Sequence, residues 1–448
     1  MIKRIFLLLL LLNSSFLFAQ TVKTDVLVVG SGASGVAAAT QCGRSKVKTI
    51  LADDGFKMSG GTIAGQMVTL DANSNIPSGI WGEFSKHIRE IYSKTVGYDT
   101  TQNAALKFDP GTGSSTLKKI VDTVKNLTFY QNALFAAIKK DRDRWEVVLT
   151  QNGKTITVKA RVVIDATEDG RVAIKVGVKF HEVFDNQTDN LNSKLYRTSI
   201  ATGEALPGQT YNDTKASKNS YPPFPAYCIP INAILVNDAD NILVTEKMLP
   251  GDKNIQYLPL QLALGQGVGT VAAFCAFFKT NTRHLNVRVI QGELLDFKSY
   301  LLPFADIKQD DRAWRAIQQV CATGMLRGVQ EISGNKTLFV FLPDSAVATA
   351  EVKPVLIETY TRAFLWFNKE KPGEKFTVGN TLSFISDYTL TDPHVLYNSM
   401  QKAWKTQYKF KSDFDLNRPI SRVEFAVLAN RFLNPFSRTV DLSGRLIN

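Results

Sequence analysis

The chain has 448 residues, 44% hydrophobic and 21% charged, with 53 Lys and Arg against 41 Asp and Glu and a formal net charge of +12. Such a composition excludes a disordered chain and supplies a core for two or three domains. No Lys/Arg run is interleaved with aromatics, which argues against a nucleic-acid partner; the excess charge is either a diffuse solvated surface or a preference for anionic polysaccharide or an acidic envelope surface.

Lys3 and Arg4 precede an unbroken apolar run, Ile5 to Leu12, and a short stretch ending Phe18-Ala19-Gln20. This pattern predicts a secretory signal peptide over residues 1–19, cleaved near Ala19 and too short to span a bilayer. No transmembrane segment is expected after cleavage. Asp25 to Val29 then reads as a strand buried on both faces of a parallel sheet. Gly30, Gly32 and Gly35 form a G-x-G-x-x-G turn with Ala33 and Ser34 inside it, and an Ala-rich helix follows. The first glycine permits the tight turn, the second lets backbone approach a pyrophosphate, and the third lets helix pack on strand. Phosphate would sit on the free N–H groups of the helix N-terminus. A second strand, Val47 to Ala52, ends at Asp53, placed to meet ribose hydroxyls. Taken alone, this unit holds either NAD or FAD.

Beyond it, Gly60-Gly61 is a second glycine turn of the kind flavoproteins bring against their cofactor, or a plain loop turn. Gln66, Thr69 and Asp71 follow as polar groups that could face a flavin ring or substrate. Apolar spacing predicts a helix over Trp81 to Lys94, and a second helix capped by Ser114 or Ser115. A β-meander is expected from Thr128–Tyr130, Leu134–Ile138, Trp145–Thr150 and Thr155–Val158, with Asn152-Gly153 as its hairpin signal. Arg161 to Asp165 is another buried-type strand, leading to Ala166-Thr167-Glu168-Asp169-Gly170. Residues 180–225 lack periodicity, and order returns at Tyr227 and the strand Asn241 to Thr245. In the apolar stretch Gln256 to Phe278, Gly265-Gln266-Gly267-Val268-Gly269 opens a small-residue helix. Its glycines read either as an anion or ring-edge site or as a packing contact. Cys42, Cys228, Cys275 and Cys321 form no C-x-x-C, and the four histidines do not cluster, so no metal site is expected. The cysteines are core thiols, although an oxidising compartment would permit a disulfide.

Assembled, these segments resemble exported bacterial FAD-dependent oxidoreductases of the glutathione-reductase-like FAD fold, a group often labelled xanthan lyase. Four blocks carry the resemblance: GSGASG with Asp53; SGGTIAGQMVTLDA; VIDATEDG; and LALGQGVGTVAA. The resemblance implies an α/β fold: a Rossmann-type FAD-binding domain with a β-meander and an inserted α+β substrate lobe, plus a small C-terminal helical repeat domain. The expected boundaries are residues 20–295 for the FAD domain, with the lobe near 72–125 and 178–230, and residues 300–448 for the repeats. It further implies that Gly30, Gly32, Ala33, Ser34 and Gly35 line the FAD pyrophosphate and that Asp53 holds the adenosine ribose. Gly60 and Gly61 would pass close to the cofactor, Phe135 would offer backbone near the adenine, and Ala166 and Thr167 would approach the diphosphate. Gly265, Gln266 and Gly269 would bring a helix N-terminus to the flavin ring, where positive charge favours the reduced anion. The chain departs from the pattern at Thr245-Glu246-Lys247, where Ala-Gly-Arg is usual, and at Gln256, where Arg is common. Lys247 is then the substitute cation.

From Phe304 a repeat appears. One copy contains Phe304-Ala305-Asp306-Ile307 and Phe341 to Glu351; the other contains Ile385-Ser386-Asp387 and Phe414 to Glu424. The two copies resemble S-layer homology repeats, which implies either binding to envelope polysaccharide or a helical cap on the FAD domain. The function implied overall is an exported FAD-dependent oxidoreductase moving hydride between a small organic or sugar-like substrate and flavin. Gln66, Asp71, Tyr227 and Lys247 are the candidate polar groups at the ring. The alternative is a non-catalytic flavoprotein whose repeats bind envelope glycan.

Overall fold

The computed structural model describes residues 20–53, 67–70, 76–101, 104–178, 194–205, 221–236, 239–245, 247, 255–334 and 336–447. The signal-peptide segment and residues Gly60, Gly61, Gln66, Asp71 and Glu246 lie outside them.

The chain runs β1 (Gln20–Lys23), β2 (Val26–Val29), α1 (Ala33–Arg44), β3 (Thr49–Asp53), β4 (Val68–Leu70), α2 (Gly79–Tyr92), β5 (Leu106–Phe108) and α3 (Pro110–Asp122). Next come β6 (Leu127–Gln131), β7 (Ala133–Asp141), β8 (Arg144–Gln151), β9 (Lys154–Ala160), β10 (Val162–Asp165) and the short α4 (Arg171–Lys175). Then follow β11 (Ser199–Glu204), β12 (Ala226–Pro230), β13 (Ile242–Val244), α5 (Leu258–Phe277) and α6 (Val287–Asp296).

Five strands pair in parallel in the order β13-β10-β2-β3-β6. Every residue of β2 and β10 is buried, which is why both read as uninterrupted apolar runs. The chain steps outward from β2 through β3 to β6 on one side and through β10 to β13 on the other. The switch point therefore lies between β2 and β10, where open α/β sheets take their ligands at the carboxyl ends of the strands. One face of the sheet carries α1 and α5; the other packs Leu27, Val29 and Ile50 against Val147, Leu149 and Val158 of the meander.

The meander is β7-β8-β9, extended by β1 parallel to β9. Thr128–Tyr130, expected as its first strand, lies in β6 and instead closes the edge of the parallel sheet beside β3. Asn152 and Gly153 both have positive φ, 48° and 75°, as a two-residue type I′ turn requires. Helix α2 begins two residues before the predicted start. Helix α3 begins at Pro110 rather than at Ser114 or Ser115, because the Asp109 carboxylate accepts from Thr112 N at 3.0 Å and proline is preorganised for the first turn. The described parts of the expected lobe are α2, α3, β5 and the antiparallel pair β11–β12; β5 pairs with β4, which precedes the expected bounds, and Trp81, Phe84 and Leu117 join the main core. Residues Ile255–Phe277 are long and apolar enough to cross a membrane, but 89% of that window is buried inside the protein.

The C-terminal third is α7 (Trp314–Ala322), the hairpin β14–β15 (Val329–Ser333, Lys336–Val340), α8 (Thr349–Thr359), α9 (Ala363–Glu370), α10 (Val378–Thr389), α11 (Pro393–Thr406) and α12 (Arg422–Leu428). Two repeats were expected, but the structure has three equivalent helix starts. Val347, Phe376 and Ile420 each stand just before a helix, and all three are fully buried. They form a closed ring of backbone hydrogen bonds: Val347 N to Ile420 O at 3.0 Å, Ile420 N to Phe376 O at 2.9 Å, and Phe376 N to Val347 O at 2.9 Å. Thr377 with Asn380 and Ser421 with Glu424 make full capping boxes at two of these starts. The middle unit escaped sequence comparison because Asn380 stands where its neighbours carry Glu351 and Glu424.

No break in the core separates this body from the rest. Tyr300, Phe304, Trp314 and Val440 belong to the same cluster as Val26 and Val268. Buried Arg197 makes a two-pronged bond to Glu358 (3.1 and 2.8 Å), and buried Arg288 donates to Arg197 O (3.1 Å) and Arg438 O (3.3 Å). Burial alone would raise the Glu358 carboxyl, but hydrogen bonds from Arg197 and Lys194 outweigh it and hold it below the usual range. Its stabilisation is therefore present above the ordinary carboxylate range and disappears as pH falls through the depressed value. Glu358→Gln is expected to lower unfolding stability by about 2 kcal/mol at neutral pH, because it leaves buried Arg197 without its counter-charge. Denaturant titrations of mutant and wild type should converge in acid, where wild-type Glu358 is also neutral.

Candidate dinucleotide site

The turn after β2 is built by close backbone contact. Gly30 has φ +106° and donates to Ala52 O at 2.9 Å, while Ala166 donates to Val29 O at 2.8 Å. A Cβ on Gly30 would lie 2.3 Å from Ala166 O, and one on Gly35 would lie 2.1 Å from Gly30 O. Only glycine fits at either position, so the turn is pressed against the end of β10. Gly32 is the N-cap of α1 in extended conformation, with no side-chain cap and no acidic residue in the first turn. The helix start thus presents amide groups and the positive end of its dipole to the switch point.

Asp53 closes the other side. Its Oδ2 accepts from Ser31 N at 2.5 Å and Ser31 Oγ at 2.9 Å, fixing the carboxylate at the mouth of the turn. Buried Ser34 donates to Thr245 Oγ1 at 2.9 Å, and Thr245 N donates to Asp165 O at 3.1 Å, which joins α1 to the ends of β10 and β13. Thr245 thus accounts locally for one departure from the pattern: its hydroxyl holds α1. Ala166 and Thr167 lie where expected, against the turn. Asp165, absent from the sequence candidates, organises them: its Oδ1 accepts from Thr167 N (3.0 Å) and Oγ1 (2.6 Å), and its Oδ2 from Ala173 N (2.8 Å). Burial raises its carboxyl despite these donors. The signal for it was present, since Asp165 begins the DATEDG block. Phe135 sits on β7 at a bulge, half-buried against the second core cluster.

The structure corrects the glycine-rich stretch of α5. The helix begins at Leu258, so Gly265, Gln266 and Gly269 lie in its interior and provide no N-terminus. Their role is packing: a Cβ on Gly265 would meet Ser34 O at 2.1 Å, and one on Gly269 would meet Ala38 O at 2.4 Å. Gln266, fully buried, accepts from Ile80 N at 3.0 Å and donates to Gln41 Oε1 at 3.0 Å. Of the ring-side candidates, Tyr227 covers Gly203 across the β11–β12 pair, and Lys247 is exposed. Gln256 donates to Thr69 O at 2.6 Å, tying the start of α5 to β4. All four cysteines are free and buried, and burial pushes their thiols up.

No curated protein matches the chain by sequence. Residues 25–198 match the family model for FAD dependent oxidoreductases. The match covers the turn, Asp53, the meander and Ala166-Thr167, and the cofactor it supports is FAD. Among solved structures, p-nitrophenol 4-monooxygenase PnpA from Pseudomonas putida is 16% identical over 36% of this chain and 44% of its own, with a TM-score of 0.24. The flavin-dependent monooxygenase PieE, solved with FAD and substrate, is 15% identical over 36% of this chain and 33% of its own, TM-score 0.27. THI4 of Thermovibrio ammonificans is 15% identical over 60% of this chain and 95% of its own, TM-score 0.33. The chain spans less than half the length of these two monooxygenases.

Sequence reading also missed Glu204, at the end of β11 opposite Ala226. Burial raises its carboxyl to about 7, only partly offset by the charge of Lys336. An acid raised in the folded state binds protons there that the unfolded chain has released, so stability falls as pH rises from the ordinary carboxylate value to about 7. Glu204→Gln is expected to remove this decline and to be the more stable protein at pH ~8 by about 1–3 kcal/mol, read from denaturation midpoints across that range. Parallel pH profiles for the two proteins would contradict it.

Proposed function

We propose that the protein is an exported FAD-dependent oxidoreductase that moves hydride between a small organic or sugar-like substrate and bound flavin. The observation that carries this reading is the turn itself. An uncapped helix start stands over the switch point, Asp53 is fixed on Ser31, and the turn is held against Ala166 by glycine contacts. These groups fit the FAD pyrophosphate and ribose: amides of Gly32 to Gly35 for the phosphates, Asp53 for the hydroxyls, and Ala166-Thr167 along the diphosphate. Bound FAD supplies the hydride-accepting chemistry. The chain's residues hold, orient and exclude water. The first turn of α5 is Leu258–Gln261, so any positive helix end offered to the ring comes from there. Tyr227, Lys247, Gln66 and Asp71 remain the candidates for contact with substrate. Export is supported by the charged and apolar leader over residues 1–19.

A second reading, in which the C-terminal body binds envelope polysaccharide, is favoured by its three-unit arrangement. Two of its arginines are committed internally, however: Arg422 to Glu351 at 2.7 Å and Arg418 to Glu424 at 2.9 Å. The test of the first reading is spectroscopic. The protein purified from Gln20 onward should show flavin bands that bleach anaerobically with a donor from a panel of sugars and small alcohols. Asp53→Ala should weaken FAD binding by about tenfold or more, the loss of a charged hydrogen-bond partner. A colourless protein that cannot be reconstituted with FAD would overturn the proposal.

A further inference from the structure

Helices α1 and α5 run side by side in the same direction: Gly265 meets Ser34, and one turn later Gly269 meets Ala38. Their C-terminal ends therefore reach the same end of the molecule, the amino ends of the parallel strands, opposite the dinucleotide turn. Phe277 and Phe278 close α5 there, 67% and 56% exposed, with ring centroids 5.1 Å apart. Ser45, just past α1, donates to Glu293 of α6 at 2.9 Å, and Val289 one turn before Glu293 is also exposed. Asn126 donates to Gly43 O at 3.2 Å, which brings Lys125 to this end.

The charge here is one-sided. Lys46, Lys48, Lys125 and Lys279 are exposed, and none has an ion-pair partner among the described residues. The acids nearby are engaged or recessed. Asp122 pairs with Lys118 and Asp240 with Arg283, each at 2.6 Å; Glu293 accepts from Ser45; and Asp25 is half-buried. His284 contacts Asn281 at 2.8 Å. Four lysines without an ion-pair partner among the described residues and two exposed aromatic rings thus lie at one end of the molecule, across the amino ends of the sheet.

We propose that this end of the molecule docks on an anionic lipid surface, with Phe277 and Phe278 in the interfacial layer and Lys46, Lys48, Lys125 and Lys279 over the headgroups. The two rings stand at 77° to each other and so offer no flat platform for the face of a sugar, whereas both can enter an interfacial lipid layer; the paired phenylalanines select lipid over polysaccharide. Docked this way, the protein holds the Gly30–Gly35 turn at the end away from the lipid. The inference rests on the helix ends and not on the flavin chemistry.

The test is co-sedimentation of the FAD-loaded protein, from Gln20 onward, with vesicles of phosphatidylcholine plus phosphatidylglycerol and of phosphatidylcholine alone. Binding is expected only to the anionic vesicles and should fall with salt. Phe277→Ser with Phe278→Ser, and separately Lys46→Glu with Lys279→Glu, should each weaken it by about tenfold or more. Lys369→Glu with Lys371→Glu, on α9 and its cap, should leave it unchanged. Flavin content should be the same in all variants, which shows that each is folded. No sedimentation of the wild type with anionic vesicles would overturn the proposal. So would a phenylalanine variant that binds as wild type while the lysine variant does not, which is the behaviour of a polyanion site.

Discussion

The contact on which the rest of the structure depends is the close approach of α1 and α5. At Gly265 and Gly269 the two backbones touch, and a methyl group at either position would fall well inside van der Waals distance of a carbonyl oxygen. Buried Gln266 sits between these glycines and reaches three elements at once, bonding Ile80 N on α2, Gln41 on α1 and, at 3.4 Å, Phe297 O beyond α6. The helix whose uncapped start faces the switch point is therefore positioned from behind by a segment more than two hundred residues later in the chain. From the front it is positioned by the Gly30–Ala166 contact and by the Ser34–Thr245 hydrogen bond.

A second constraint joins the body built on the parallel sheet to the C-terminal third. The ring of Val347, Phe376 and Ile420 makes three helical units into one body, and Arg197 and Arg288 fasten that body to β11 and α6. Gln291 of α6 donates to the carbonyls of Arg197 and Ser199 at 3.0 and 2.9 Å, so the start of β11 is held on both sides. The C-terminal units thus support the strand pair that carries Glu204 and Tyr227, whatever else they bind.

Much of this was legible because the signals were local. The G-x-G-x-x-G turn, the strands buried on both faces and the Asn152-Gly153 hairpin each state their geometry within a few residues. The errors arose where one local pattern serves two purposes. Gly265 to Gly269 reads equally well as the start of a helix or as a seam within one. Only Ser34 and Ala38, far away in sequence, decide between them. Ser114 and Ser115 are good caps, but Asp109 followed by proline is a better one and comes first. Leu127–Gln131 has the pattern of a meander strand because an edge strand of a parallel sheet is half-exposed in the same way. The third C-terminal unit was hidden because what repeats is a backbone ring, and a ring of main-chain bonds leaves little mark on side-chain identity.

The two glycine-rich stretches have different roles under the proposed function: Gly30 to Gly35 meets the cofactor, and Gly265 to Gly269 packs α5 on α1. Amide hydrogen exchange on the apoprotein, with and without added FAD, distinguishes them most directly. FAD is expected to slow exchange at Ser31 and at Ala33 to Gly35. Gly265 to Gly269, already hydrogen-bonded inside a buried helix, should exchange slowly before FAD is added and at the same rate after. Fast exchange at Gly265 to Gly269 in the apoprotein, suppressed by FAD, would contradict it and return the flavin ring to that stretch.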